Sequence, residues 1–270
     1  MVNKIIEEDL QNMHIRLVAA LREYFGKAGF TKAVVGLSGG IDSSLTLFLA
    51  VDALGAENVT GIIMPELGLS ARENIEDAQN LAASLSVNTL KVPINRFIQE
   101  YDNLPWISGL AEFDSEEVKQ GVRLSKMNVK SRVRANILYS FANTFQALVL
   151  GTSNLSETRL GYGTKHGDLA ADVEVIGALY KTQVRALAGY LGIAAKIIDK
   201  APTAELEAGQ SDANELGADY AELDTILVYG PNSIELGADP VLIKHVAELE
   251  RKSMHKREMP PIISYTEDAY

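Results

Sequence analysis

Between the first apolar run and the helix-like stretch that follows it, the chain reads Ser38-Gly39-Gly40-Ile41-Asp42-Ser43-Ser44. Two adjacent glycines let the backbone turn tightly and approach a ligand. The free N–H groups of a helix start, with the hydroxyls of Ser38, Ser43 and Ser44, form a nest for an anion. There is no Gly-Lys-Ser/Thr, so this is not the common nucleotide P-loop. Asp42 is an odd choice beside phosphates unless a Mg2+ sits between them. An ordinary strand-to-helix turn capped by Ser and Asp would use the same residue types.

Other charged residues sit where a ligand would be met. Thr152 and Glu157 follow an apolar run, Ala147 to Gly151. A Glu in a first helical turn serves either as a partner of the helix dipole or, beside the Asp42 motif, as a second Mg2+ carboxylate. Lys165, Asp168 and Asp172 lie in a stretch with Gly161, Gly163 and Gly167. It reads as a solvated loop, or as a binding loop that offers a cation to phosphate and carboxylates to ribose hydroxyls. Arg132 and Arg134, two apart on one helix, cannot share a face. Arg251-Lys252 and His255-Lys256-Arg257 form the densest positive cluster. That cluster suits either a helix C-terminus or an anion.

These residues need a scaffold that brings them to one edge. Ile6, Leu10, Met13, Leu17, Leu21 and Tyr24 recur at helical spacing, predicting an amphipathic helix from about 4 to 26. Strands are predicted at 33–37, 59–64, 88–94 and 147–151, with further pieces at 173–179 and 195–198. Helices are expected through Leu45 to Val51, from 71 to 85, around Asn128 to Phe141, and from about 239 to 253; residues 204–219 read as a mobile loop. Strands separated by helices imply right-handed parallel crossovers and an α/β fold, a doubly wound parallel sheet flanked by helices. Ligands of such sheets bind beyond the carboxyl ends of the strands.

Composition narrows the function. In 270 residues, 25 Lys and Arg face 36 Asp and Glu, a net charge of −11. That sign disfavours a nucleic-acid partner, which needs a basic surface. With no cysteine, disulfides, thiolate metal sites and a cysteine nucleophile are excluded. No apolar run approaches a membrane span, and Glu7, Glu8 and Asp9 stand where a signal peptide would be apolar, so no membrane partner and a cytoplasmic location are expected.

The Ser38–Ser44 loop resembles that of the ATP pyrophosphatase group, whose adenine nucleotide alpha-hydrolase-like members split ATP into AMP and pyrophosphate. More residues choose among its families. Asn128 with Arg132 and Arg134, Gly151-Thr152 to Glu157, and Gly163-Thr164-Lys165-His166-Gly167-Asp168 with Asp172 are similar to ammonia-dependent NAD synthetase. So are Tyr180-Lys181-Thr182-Gln183-Val184, Pro202-Thr203, Gly209-Gln210-Ser211-Asp212 with Glu215-Leu216-Gly217, and His255-Lys256-Arg257. The likeness runs from about residue 34 to 261.

The resemblance implies a role for each position. Asp42 and Glu157 would hold Mg2+, and with Lys181 would serve catalysis without a covalent nucleophile. Gly36, Leu37, Ser38, Gly39, Gly40, Ile41, Asp42, Ser43, Thr152, Lys181 and Thr203 would bind ATP. Arg132, Lys165, Asp172, His255 and Lys256 would bind deamido-NAD. The expected reaction adenylates the nicotinate carboxylate and then amidates it with ammonia, giving NAD, AMP and pyrophosphate. The loop from about 204 to 218 would close over the adenylate. The resemblance further implies residues 1–270 as one NAD synthetase domain without a nitrilase-like glutamine amidotransferase domain. It also implies a homodimer in which His255 and Lys256 reach the substrate of the other subunit. Leu169 and Ala170 stand where the family usually has glycines, Val175 where it has a proline, Met127 where it has a glycine, and Ala213 where it has an acid. If those glycines serve positive φ, the loop before Asp172 must be shaped differently. Two alternatives remain at this point: another ATP-pyrophosphatase amidase or ligase of the GMP-synthetase or tRNA-modifying kind, and a nucleotide-binding sensor without turnover.

Overall fold

The computed structural model describes residues 7–108 and 115–263. Helix α1 (Glu7–Ala28) leads to β1 (Lys32–Gly36) and α2 (Ile41–Leu54), then β2 (Val59–Ile63), α3 (Arg72–Ser84) and β3 (Asn88–Lys91). Two short helices, α4 (Asn95–Asp102) and α5 (Pro105–Ser108), precede the long α6 (Glu116–Phe145), which delivers β4 (Ala147–Gly151). After α7 (Leu155–Leu160) come β5 (Val173–Glu174), α8 (Lys181–Tyr190), α9 (Ala195–Ile198), α10 (Asp212–Leu216), α11 (Tyr220–Tyr229) and α12 (Pro240–Arg257).

All strands are parallel, in the order β3-β2-β1-β4-β5. Successive side chains of a strand face opposite sides, so Val35 enters the layer of α1, α2 and α8 with Leu45, Leu49, Leu148 and Leu187. Its neighbour Val34 packs with Ile62, Val149 and Val133 beneath α6. A third cluster, built on Leu160, Leu223, Leu227 and Val246, joins α7, α11 and α12. The strand order reverses between β1 and β4, so the loops leaving their carboxyl ends diverge there and leave a crevice.

The doubly wound parallel sheet therefore stands as expected, and the first four strands fall within a few residues of their predicted positions. For the first helix, residues 4 to 6 lie outside the described residues. Two expectations are corrected. Residues 195–198 are a helical turn: Ile197 is buried and the adjacent Ile198 packs against the same core, whereas successive residues of a strand would face opposite sides. Of 173–179 only Val173–Glu174 pairs with β4, and the chain then turns to start α8. Residues 204–219 include α10, held by buried Leu216 and by Gly217 at φ +87° as its left-handed cap. Among the described residues no helix is long and apolar enough to cross a membrane.

Candidate active site at the switch point

The loop after β1 is shaped by its own residues. Leu37 N–H still pairs with the Ile62 carbonyl at 2.9 Å, continuing the sheet, and Gly39 then turns at φ +80°. A Cβ on Gly39 would stand 2.1 Å from the Asn74 carbonyl oxygen, so no other residue fits. Gly40, extended, caps α2. The Gly40 N–H donates to Ser38 Oγ at 3.2 Å, and the hydroxyls of Ser43 and Ser44 donate to the Gly40 carbonyl at 3.1 and 2.8 Å. Ser43 and Ser44 are buried and hold the turn, whereas Ser38 is exposed. The side chains of Leu37 and Ile41 are in the core, so these two positions, like Gly36, offer a nucleotide backbone alone.

Asp42, in the first turn of α2, meets residues of two other elements. Lys181 Nζ donates to Asp42 Oδ2 and, at 2.9 Å, to Glu157 Oε1. Asn154 joins the same group: its Nδ2 donates to Asp42 Oδ1 at 2.9 Å, and its Oδ1 accepts the Glu157 N–H at 3.0 Å. Asn154 and Glu157 thus form a capping box at the start of α7, so Glu157 serves the helix end and faces Asp42 as well. Lys181 is anchored from behind. Its N–H donates to Ser156 Oγ at 2.9 Å; Ser156 Oγ donates to Asp224 at 2.5 Å, and Asp224 also accepts the Thr182 N–H at 2.9 Å. The Lys181 ammonium lies 5.2 Å from the centre of the Tyr220 ring.

Burial penalises the charges of Glu157 and Lys181. It pushes Glu157 up to about 7; Lys181 opposes that shift and Asp42 adds to it. For Lys181 burial acts downward, but Glu157 and Asp42 outweigh it, so the ammonium stays protonated above its ordinary range. Among the described residues no cluster of three or more His, Cys, Asp or Glu could hold a metal. Two carboxylates converging on one cation are instead the donor set suited to Mg2+, which usually keeps water and phosphate oxygens as its other ligands.

Around this buried group lies a more open rim. Thr152 follows β4, and Thr203 is exposed, its Oγ1 accepting the Glu205 N–H at 3.1 Å. Arg132 and Arg134 point different ways, to the carbonyls of Lys165 at 3.4 Å and Met64 at 3.1 Å. Lys165 Nζ donates to the His255 carbonyl, and Lys256 Nζ donates to the carbonyls of Gly161 and Gly163 at 2.8 Å each. Lys165, His255 and Lys256 thus gather where α12 crosses the loop after α7. Gly161 permits that crossing, since a Cβ there would meet Ser253 Cβ at 2.0 Å. Lys256 is drawn down by burial, with Asp168 opposing.

Asp172 belongs to a separate group. Its Oδ2 accepts the Val149 N–H at 2.7 Å, and its carbonyl accepts the Tyr24 hydroxyl at 2.6 Å. It borders an open pocket of about 310 Å³ shared with Phe30 and Tyr139. The loop before it is not strained by its missing glycines. Leu169 and Ala170 do not take positive φ, and His166, at φ +63°, is the one non-glycine residue of that loop that does. The carboxylate of Glu174, an exposed residue, lies over Gly151 and accepts the Ser153 N–H at 3.2 Å. Asn154, Ser156, Asp224 and Tyr220 are not among the candidates that the sequence offers. Only Asn154, three residues before Glu157 in capping-box spacing, carried a local signal.

Known proteins resemble the chain in sequence and in fold. The chain is 40% identical over 249 residues to the NH3-dependent NAD+ synthetase of Archaeoglobus fulgidus, covering 92% of this chain and 94% of that protein. Its structure is similar to the NMN synthetase of Francisella tularensis, with TM-score 0.80, 28% identity, and 95% and 99% of the two chains covered. It is also similar to the NH3-dependent NAD synthetase of Campylobacter jejuni, with TM-score 0.75, 30% identity and the same coverage. The NAD synthase family matches residues 13–260, and the chain belongs to that family.

Proposed function

We propose that this chain is an ammonia-dependent NAD synthetase whose chemistry runs at the Asp42–Glu157–Lys181 group. The observation that carries the reading is the convergence of two carboxylates and one ammonium beside a glycine turn at the switch point of the sheet. The relatives' names support ammonia as the nitrogen donor. Together they favour this reading over a sensor or another amidase of the ATP-pyrophosphatase group.

ATP places its phosphates against the Gly39–Gly40 turn, where the N–H groups and dipole of α2 favour negative charge. Gly36 to Ser43, Thr152 and Thr203 surround the nucleotide. Asp42 and Glu157 are the residues that would hold Mg2+, which when bound neutralises charge on the phosphate oxygens. Lys181, protonated throughout, presents a fixed positive charge to the same oxygens. Arg132, Lys165, His255 and Lys256 orient deamido-NAD so that an oxygen of its nicotinate carboxylate attacks the α-phosphorus. The bond to pyrophosphate breaks, leaving an acyl-adenylate. The ammonia lone pair then attacks the carbonyl carbon, and the carbon–oxygen bond to AMP breaks. Alignment and fixed charge suffice for both steps.

The protein works as one NAD synthase domain and as a homodimer. Ile15 on α1 and Leu124 on α6, both more than half exposed, support a twofold contact along those helices. A second reading, amidation of nicotinate mononucleotide, is favoured by the likeness to the Francisella protein. The NH3-dependent NAD+ synthetase to which the chain is 40% identical instead favours the dinucleotide. Turnover with ATP, Mg2+ and ammonia tests both. We expect AMP and pyrophosphate in equal amounts with NAD from deamido-NAD, and a much lower kcat/KM with the mononucleotide. A preference for the mononucleotide would replace the substrate, and ADP as product would overturn the reading.

A further inference from the structure

Lys200 belongs to none of the groups described above, yet its ammonium donates to three oxygens at once. They are Asp77 Oδ2 at 2.5 Å, Asn74 Oδ1 at 2.7 Å and the Gly39 carbonyl at 3.3 Å. An ammonium has three protons, and each has an acceptor here. The Asp77 side chain is 1% exposed, so this charge is fixed from below, while Gly39 is the residue that makes the phosphate turn.

Asn74 is the second junction. Its backbone carbonyl abuts Gly39, its Oδ1 accepts from Lys200, and its Nδ2 donates to Glu205 Oε1 at 3.0 Å. That same Glu205 oxygen accepts the Ala71 N–H at 2.8 Å. Glu205 holds φ +51°, a left-handed conformation that is costly for a side chain of this kind and persists where contacts enforce it. The chain beyond is tied to α6, with the Leu206 carbonyl accepting from Lys130 at 2.7 Å and Glu207 paired with Arg123. Lys200 therefore touches the phosphate turn at one end of its bond set, and through Asn74 the segment that follows Thr203 at the other.

We propose that Lys200 and Asn74 are positioning residues that tie the phosphate turn to residues 203–207, so that ATP at the turn and docking of this segment form one coupled unit. The inference rests on the assignment of the Ser38–Ser44 loop to ATP phosphates. It assigns to the chain's own side chains the link between nucleotide binding and closure over the adenylate. Neither residue contacts the reacting atoms.

Lys200→Met is expected to raise the KM for ATP about tenfold while the KM for deamido-NAD stays within about twofold. Lys196→Met is the control, because Lys196 shares Asp77 and bonds neither Gly39 nor Asn74; it is expected to leave both constants unchanged. Coupling is read by a protease that cuts after Glu, followed by mass analysis. ATP with Mg2+ should slow cleavage after Glu205 and Glu207 in the wild type and lose that effect in Lys200→Met. Should Lys200→Met fail to fold, Asn74→Ala carries the same prediction. Gly40→Val separates the two levels, since the extended Gly40 backbone accepts Val while its bulk enters the turn. If Gly40→Val raises the ATP KM and Lys200→Met leaves both that constant and the ATP protection at wild-type values, the inference alone is overturned. If Gly40→Val leaves ATP binding intact, the loop assignment and the inference fall together.

Discussion

The group around Lys181 and the rim around Lys256 both carry positive charge, and they are built differently. Lys181 is 3% exposed; Asp42 of α2 and Glu157 of α7 hold its side chain, and Ser156 of α7, itself bonded to Asp224 of α11, holds its N–H. Lys165 and Lys256 reach in from a loop and a helix end, and their ammonium groups rest on backbone carbonyls. A charge paired with fixed carboxylates cannot move without leaving them buried and unpaired, which costs several kcal/mol. A lysine resting on carbonyls at the surface can exchange them for a phosphate at little cost. On the proposed reading the first group does the chemistry and the second captures substrate, and the contrast can be broken at either end.

The largest effect is expected at the buried carboxylates. Asp42→Asn and Glu157→Gln should each lower kcat on the order of a hundredfold or more and raise the Mg2+ concentration needed for half-maximal rate. Wild-type turnover at limiting Mg2+ in either variant would remove that residue from the metal site. Asp224→Ala comes next. It leaves the Ser156 hydroxyl and the Thr182 N–H without their acceptor, at about 1–3 kcal/mol for each buried group. Denaturant unfolding should register that loss, and kcat should fall because Lys181 loses its support.

At the rim, Lys256→Ala should act on capture, raising the KM for deamido-NAD about tenfold with kcat altered far less. Mixing this variant with Asp42→Asn by co-refolding tests the shared site when deamido-NAD is held far below its KM, where Lys256→Ala keeps only about a tenth of the wild-type rate. If Lys256 serves the partner's substrate, about a quarter of wild-type activity should return, because half the dimers are mixed and each holds one intact site. No recovery in verified heterodimers would place Lys256 in its own subunit's site.

The smallest effect concerns Glu174. Burial of its carboxyl raises its pKa, the Ser153 N–H lowers it and Asp168 raises it again, leaving it pushed up to about 7. A carboxyl raised in the folded state contributes stability that is full below its unfolded value and is lost as pH rises through the folded value. Glu174→Gln should therefore match the wild type near about pH 4 and melt slightly higher near about pH 8, the gap kept small by solvent at this exposed residue. An unchanged melting difference across that range would show that the carboxyl titrates normally.

The sheet and the phosphate turn were legible because their signals are local. Buried parallel strands read as short apolar runs, and Gly39-Gly40 between a strand and a helix has few other uses. Asp42 and Glu157 were paired by the chemistry of Mg2+ and by the family resemblance, since 115 positions separate them and spacing alone says nothing of such distances. Asp224 and Tyr220 were hidden for the same reason. They lie on α11, a helix apolar on nearly every side, where an Asp carries no motif and gains its role only from the helix end it meets. Residues 195–198 misled because a stretch as short as Ala195-Lys196-Ile197-Ile198 fits a strand or a helical turn equally well.

The central claim, attack of the nicotinate carboxylate on the α-phosphorus beside Asp42 and Glu157, is most directly tested by isotope transfer. Deamido-NAD carrying 18O in both carboxylate oxygens is turned over with ATP, Mg2+ and ammonia, and the products are weighed by mass spectrometry. The account predicts one labelled oxygen in AMP, the other in the amide of NAD, and none in pyrophosphate. Unlabelled AMP, with the label in pyrophosphate or in free phosphate, would contradict it.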